Sequence, residues 1–350
     1  MNKKAFTLVE LLAVIVILAI ILAISIPSIS SVIDNSEKSS FVSSTKLLIN
    51  AVKIKLLEDE TFDITTINKS NLKSILNIDD ENYSSISFNY DSNGKLFINV
   101  IGADKWDNLI SCGNYENISM IDTDCIIKNG LIMHLDASNS NSYPGNGTTW
   151  YDLSGNENNG TLLNGVSYNL SNGGMFLFDG INDYARIPDS VSTNFGTGSY
   201  TIGIWVKPAN TNSTWRGVIS KRTNGNYKGW AIYETSSNKF GVQLASNHSG
   251  PYYSATSLNS FVANNWYYIN AVIDRGNKQL RFYVNGIQQG NAVDITNLGN
   301  TNNITPLLIG HEIGINTFPG SISNGHIYNR ALSVDEIQQN YNALKYRYGL

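Results

Sequence analysis

Residues 200–208 read Tyr-Thr-Ile-Gly-Ile-Trp-Val-Lys-Pro, "YTIGIWVKP". Tyr200, Ile202, Ile204 and Val206 fall on one side of an extended chain, and Thr201, Gly203, Trp205 and Lys207 on the other. Successive side chains of a strand point to opposite faces, so this alternation predicts a strand with one face in a core. Downstream, "KQLRFYVNG" (278–286) repeats the pattern. There Leu280, Phe282 and Val284 alternate with Arg281 and Tyr283, and Asn285-Gly286 supplies a tight hairpin turn. "NNWYYINAVID" (264–274) precedes it as the partner strand. From about Ile127 such short strands recur between Gly- and Asn-rich turns, the pattern of a two-sheet β-sandwich. Near the C-terminus, Ser333 and Glu336 are spaced as a capping box, so a short helix follows.

Composition agrees with this reading. The chain has 350 residues, 42% of them hydrophobic and only 15% charged, with 19 Tyr and 6 Trp. Lys and Arg number 24 against 28 Asp and Glu, a net charge of −4. With no basic run interleaved with aromatics, nucleic-acid binding and DNA capture have no footing. Cys112 and Cys125 are the two cysteines, and in an exported protein such a close pair favours a disulfide over two reduced thiols.

The N-terminus has a different character. "MNKKAFTLVELLAVIVILAIILAISIP" (1–27) is almost wholly apolar from Phe6 to Ile26. Twenty-one helical residues reach about 31 Å, the thickness of a bilayer core. Glu10 lies inside that stretch, where a carboxylate needs a partner. Pro27 interrupts an otherwise helical run and loosens or kinks it. Beyond it, Phe41, Thr45, Leu48, Val52 and Leu56 recur at three- and four-residue steps, one face of a helix. Residues 58–126 then read as a small α+β region. "NKSNLKSILNI" (68–78) is a short helix, "SISFNYDSNGKLFINVIG" (85–102) two strands joined at 91–94, and "DKWDNLISCGNY" (104–115) a further strand, with Trp106 covering the helix.

"KKA" followed by "FTLVE" and a long apolar helix resembles the class III leader of type IV prepilins. Ala5 stands where most members carry Gly. The resemblance implies that a prepilin peptidase cuts between Ala5 and Phe6 and that the new Phe6 amine is N-methylated. It also implies that residues 6–57 form the pilin helix, with 6–26 spanning the cytoplasmic membrane in the precursor and the fibre core after assembly. Glu10 then pairs with the Phe6 amine of a neighbouring subunit, because a buried cation needs an opposite charge close by. Pilins carry a proline at the offset of Pro27.

Residues 127–350 resemble the concanavalin A-like lectin/glucanase superfamily, in its laminin G-like, pentraxin-related branch. The motifs are "GLIMHLDASNSNSYPGNGTTWYDLSGNENNGTL" (130–162), "FLFDGINDYARIP" (176–188), "YTIGIWVKP", "LRFYVNGIQQG" (280–290) and "GSISNGHIYNRALSVDEI" (320–337). The implied fold is a jelly roll closed by pairing of the strand around Ile132–Leu135 with that around Ile322–Ile327. Hydrolytic relatives use a Glu-x-Asp-x-x-Glu strand, which this chain lacks. Glu157, Glu234, Glu312 and Glu336 are isolated, so a non-enzymatic domain is expected. Pentraxin-like members hold calcium on acids and amides of two loops. By that resemblance Glu312 aligns with one ligand, whereas Gly314 replaces another. Asp179 and Asp183 admit two readings, as oxygens for a structural Ca2+ or as caps of tight turns.

Sugar sites combine an aromatic face with convergent polar groups. Trp215, Tyr227, Trp230, Tyr252 and Tyr253 are the candidates, with Asn226, Asn247 and His248 nearby in sequence. Trp205 and Trp266 read as packing residues. The expectation is a minor pilin that reaches the cell surface and displays a lectin-like adhesin toward a glycan or glycosylated host or matrix surface. Its partners would be other pilin subunits through the N-terminal helix. The competing reading is a structural or priming pseudopilin of a secretion or competence system whose head binds partner proteins.

Overall fold

The computed structural model describes residues 33, 36–90, 96–106, 109–113, 119–120, 125–211, 214–225, 227–247, 250–314 and 316–350. Ala5, Phe6, Glu10, Pro27 and the apolar span 6–26 lie outside the described residues, as do Asn226 and His248. The chain divides into two compact units, Met1–Cys125 and Ile126–Leu350.

In the first unit, helix α1 covers 36–58. Phe41, Thr45, Leu48 and Val52 are fully buried along one stripe, joined by Ile49, and Leu56 packs at its end. Thr45 satisfies its buried hydroxyl by donating to the Phe41 carbonyl at 3.0 Å. After the short helix α2 (Leu72–Leu76) come β1 (Tyr83–Tyr90), β2 (Leu96–Gly102), β3 (Ile110–Gly113) and β4 (Ser119–Met120), which pair in that order as an antiparallel sheet. Trp106 sits between helix and sheet, its ring 5.4 Å from Phe41 and 5.6 Å from Tyr83. Cys112 on β3 is disulfide-bonded to Cys125, with Cα atoms 5.9 Å apart. Among the described residues no helix is long and apolar enough to cross a membrane.

The second unit is an all-β sandwich. Its strands up to the long central one are β5 (Leu131–Asp136), β6 (Thr149–Trp150), β7 (Gly160–Leu163), β8 (Ser167–Asn169), β9 (Met175–Asp179), β10 (Tyr184–Ile187) and β11 (Tyr200–Pro208). There follow β12 (Arg216–Arg222), β13 (Gly229–Glu234), β14 (Phe240–Ala245), β15 (Tyr252–Thr256), β16 (Tyr267–Asp274) and β17 (Gln279–Val284). The last are β18 (Ile287–Gln288), β19 (Val293–Asp294), β20 (Leu307–Ile309), β21 (Asn316–Thr317), β22 (Pro319–Tyr328) and helix α3 (Val334–Leu344). One sheet runs β15-β14-β13-β12-β20-β10-β7-β6, with β21 beside β12. The other runs β18-β17-β16-β11-β22-β9-β8, with β19 on β17 and β5 on β22. The expected closure is present: His134 lies opposite His326 and Met133 opposite Ile327.

Tyr200, Ile202, Ile204 and Val206 enter the common core, as do Leu280 and Phe282, while Val284 packs at its edge. Asn285 and Gly286 both take positive φ (51° and 77°), as the Asn-Gly hairpin turn demands. The opposite face of β11 is also covered. Trp205 stacks on Tyr268, Tyr341 and Tyr348, with centroids at 5.0, 5.8 and 4.2 Å, beneath the C-terminal helix. Gly203 has to lack a side chain, because a Cβ there would stand 2.4 Å from His326 Nε2 and 2.6 Å from Asn270 Nδ2. Burial, then the neighbouring His134, hold His326 well below the usual histidine pKa, so its ring is neutral in this layer.

Helix α3 starts at the capping box. Ser333 Oγ accepts from the Glu336 N–H, and Glu336 accepts from the Ser333 N–H at 2.9 Å. Arg330 adds two bonds to the same carboxylate, both 2.7 Å. Burial acts to raise the Glu336 pKa, but the Arg330 and Ser333 donors outweigh it and hold it below the usual value. Because the folded pKa is depressed, the stabilisation is present above the ordinary glutamate range and lost as pH falls through the folded value. We expect Glu336→Gln to destabilise the fold by about 1–3 kcal/mol at pH 7. The gap from the native protein should close as the pH is lowered through that range, as read by urea unfolding at each pH.

Candidate functional site

Strands β12 to β15 place a mixture of small, polar and aromatic residues on their outer face. Their register aligns three rows, Gly217–Tyr233–Gly241–Thr256, Ser220–Ala231–Gln243–Ser254 and Arg222–Gly229–Ala245–Tyr252. The intervening residues Trp230, Ile232, Val242 and Leu244 point into the core. A register irregularity between Gly217 and Ile219 shifts the first strand, and the chain after β20 folds back over it. Glu312 lies against Gly217, where a Cβ would come within 2.4 Å of both the Glu312 Cβ and its backbone nitrogen.

That fold-back delivers a carboxylate to a cation. Arg222 and Glu312 form an ion pair, with side chains only 7% and 2% exposed. Burial raises the Glu312 pKa against the opposing pull of Arg222. The Arg222 guanidinium also donates to Gln243 Oε1 and lies 5.1 Å from the Tyr227 ring centroid, within cation–π range. Tyr227 meets Tyr252 edge-on at 6.1 Å. In the first row, Trp215 leans on Tyr233 at 5.0 Å, and burial pushes the Tyr233 hydroxyl up to about 12. Trp215, Tyr227 and Tyr252 are 47%, 38% and 44% exposed. The result is a platform of buried polar and small groups with exposed aromatic rings at two ends.

Three of the five aromatic candidates therefore share one face. Trp230 has to be corrected: it is 2% exposed, opposite Lys221 and Leu244 in register, and belongs to the core. Tyr253 is half-buried against the core from the inner side of β15, opposite Leu244. Asn247 is exposed just beyond β14. Arg222, Tyr233 and Gln243 are additions that the sequence reading missed. The period-2 alternation of "GWAIYE" (229–234) was the available signal for Tyr233 and against Trp230.

The candidate metal ligands Asp179, Asp183 and Glu312 each have other partners in the structure. Asp179 Oδ1 accepts the backbone N–H groups of Ile181, Asn182 and Asp183 at 2.7, 3.2 and 3.4 Å, and these bonds, led by Ile181, lower its pKa. Asp183 is buried, its pKa raised by that burial, and accepts the Asp179 N–H at 3.1 Å. Both close one turn, the cap reading, and Glu312 is engaged by Arg222. Among the described residues no three His, Cys, Asp or Glu side chains converge to hold a metal ion. Glu234 pairs with Arg216 at 3.3 Å, and burial pushes its pKa up to about 7.

Residues 179–338 match the family model of the concanavalin A-like lectin/glucanases superfamily, and residues 1–26 match the prokaryotic N-terminal methylation motif. The chain carries a prepilin-type leader and a concanavalin A-like domain. No curated protein matches the chain in sequence. Among solved structures, the binding domain of Paraclostridial Mosquitocidal Protein 1 matches with a TM-score of 0.51 at 18% identity, over 62% of this chain and 52% of that one. The receptor binding domain of botulinum neurotoxin C/D mosaic serotype matches with a TM-score of 0.50 at 15% identity, over the same shares. The binding domain of botulinum neurotoxin DC in complex with rat synaptotagmin II matches with a TM-score of 0.50 at 16% identity, over 62% and 52%. The chain thus spans about half the length of these structures, and at such identities the likeness is one of fold.

Two tryptophans of the second unit, Trp215 and Trp230, separate surface from packing. Trp230→Ala should cost about 3–5 kcal/mol in chemical denaturation of the full chain. Trp215→Ala should stay within about 0.5 kcal/mol of the native protein.

Proposed function

We propose that the chain is a minor type IV pilin whose concanavalin A-like domain serves as an adhesin at the cell surface. The observation that carries this reading is the presence, in one chain, of the N-terminal methylation motif and a lectin-like fold with an exposed aromatic platform. The motif supplies the route. Prepilin peptidase cuts between Ala5 and Phe6, the Phe6 amine is methylated, and the apolar helix leaves the cytoplasmic membrane for the fibre. Inside a bundle of such helices the Phe6 ammonium requires a counter-charge, and Glu10 of a neighbouring pilin provides it. Aromatic faces framed by amide and hydroxyl groups suit a carbohydrate or a glycosylated surface.

We read the domain as a binding module without catalytic activity. Glu234 is tied to Arg216, Glu312 to Arg222, and Glu336 to the start of α3, which supports structural work for each. The fold shared with toxin binding domains is one on which recognition surfaces are built, although fold alone does not transmit their ligands.

Four measurements test the reading, starting from cells that carry the full chain. Purified mature protein should begin with N-methylated Phe6 by mass spectrometry. Glu10→Ala should cut fibre incorporation by more than about tenfold, in line with the penalty for removing one partner of a buried ion pair. Deleting the chain should abolish attachment to glycan-coated or host-matrix surfaces while fibres still form, and attachment by the native strain should survive chelation. Fibre loss with unchanged attachment per fibre would instead indicate a priming pseudopilin.

A further inference from the structure

We propose that the outer face of β12–β15 binds an extended, uncharged oligosaccharide that runs from Trp215 to Tyr252. This inference rests on the adhesin reading and specifies its ligand and its site.

Three observations carry it. The first is where the exposed aromatic rings lie. Among the described residues of the second unit, the aromatic side chains counted as exposed are Tyr151, Trp215, Tyr227 and Tyr252. Three of these four belong to the one face, Trp215 against Tyr233 at one end and Tyr227 against Tyr252 at the other. On β13 the corresponding rows, at Tyr233 and Gly229, are four residues apart, about 13 Å along a strand. One sugar ring cannot bridge that distance while stacking at both ends. A chain of several rings can.

The second observation is what lies between. In the middle row Ser220 and Ala231 are buried, the Ser220 hydroxyl donating to the His311 carbonyl, so the surface open to a ligand there is formed by Gln243 and Ser254 of β14 and β15. Arg222 holds Gln243 by its Oε1, and the Gln243 amide nitrogen makes no hydrogen bond among the described residues. Its two donors are therefore fixed in place beside the exposed Ser254, its register partner on β15. Sugar hydroxyls match such groups. The core of a protein–protein interface would instead present contiguous apolar surface, and here polar groups separate the rings.

The third observation is charge. The charged residues of β12–β15 are Arg216, Lys221, Arg222 and Glu234, and each is paired: Arg216 with Glu234, Lys221 with Asp189, Arg222 with Glu312. With its guanidinium neutralised and buried, the platform offers no free cation on these strands to select a sialylated, uronic or sulfated sugar. An uncharged chain loses nothing by this.

The test uses the full-length protein in detergent and two sets of probes. One is a ladder of unbranched cello-, xylo-, manno- and arabino-oligosaccharides from one to six units. The other is sialyllactose and an oligogalacturonide of matched length. Binding should tighten by about tenfold or more between one unit and four in at least one neutral series, and the anionic probes should bind no better than their neutral counterparts. Trp215→Ala and Tyr252→Ala should each weaken binding by about tenfold, with an unchanged unfolding midpoint, and Trp215→Phe should stay within about threefold. Length-independent binding, preference for the anionic probes, no binding across the ladder, or full binding by the Trp215→Ala/Tyr252→Ala double variant overturns the proposal. Cell attachment separates the two levels. If deletion of the chain abolishes attachment but the double variant attaches normally, this site is wrong and the adhesin reading stands. If deletion leaves attachment intact, the adhesin reading fails, and this proposal fails with it.

Discussion

Each sheet of the sandwich must dispose of two faces, and the closure of the inner pair governs how the outer pair is used. The inner faces meet through Trp150, Phe176, Ile204, Ile232, Ile269 and Ile322, all 0% exposed. Close packing of this kind leaves little freedom in strand register, because a one-residue slip would turn every core side chain outward. The outer faces are then determined by the same alternation. On β11 it sends Thr201, Gly203 and Trp205 outward, and on β13 it sends Ala231 and Tyr233 outward.

The two outer faces are treated differently. The sheet containing β11 is covered by α3 and the residues after it, and the covered layer is polar as well as aromatic. Arg347 bonds to the fully buried Asp136 at 2.8 Å, His326 bonds to Tyr268, and Asn324 bonds to both His326 and His134. Buried polar groups of this kind are tolerable only when they satisfy one another, and they fix the seat of the helix more narrowly than apolar contact would. The sheet containing β13 has its own ion pairs and rings instead of a helix. That leaves it partly open, with Trp215, Tyr227 and Tyr252 exposed to solvent.

Much of this was legible in local sequence. The alternation of 200–208, the Asn285-Gly286 turn, the Ser333/Glu336 box and the Phe41–Thr45–Leu48–Val52 stripe each depend on neighbours within a few residues, and each appears as read. The family resemblance added the long-range pairing of β5 with β22. What remained hidden depends on contacts distant in sequence. Nothing near Arg222 announces that Glu312 will neutralise it, because their meeting requires the chain beyond β20 to fold back over a glycine. Trp230 failed for a nearer reason. The Gly- and Asn-rich run before it, "TNGNYKG" (223–229), suggests a loop, whereas Gly229 already pairs with Arg222 in the sheet. One residue of strand boundary therefore decided whether that ring faced ligand or core.

The neutral character of the platform bears on how a fibre subunit could use it. An exposed basic face would gather anionic polymers of every kind, by attraction that salt weakens and that discriminates poorly. Rings held at two ends of a flat strand face respond instead to the spacing of the ligand's own rings. Their affinity is modest per site, since each stacking contact adds only about 1 kcal/mol. Low affinity at one site is compatible with firm attachment when several fibres engage one surface, because each further contact forms at high effective concentration. Selectivity by spacing and strength by multiplicity are thus separable properties. On the proposal above, the first would rest on Trp215, Tyr227 and Tyr252, and the second on the N-terminal motif that would place the domain on a fibre.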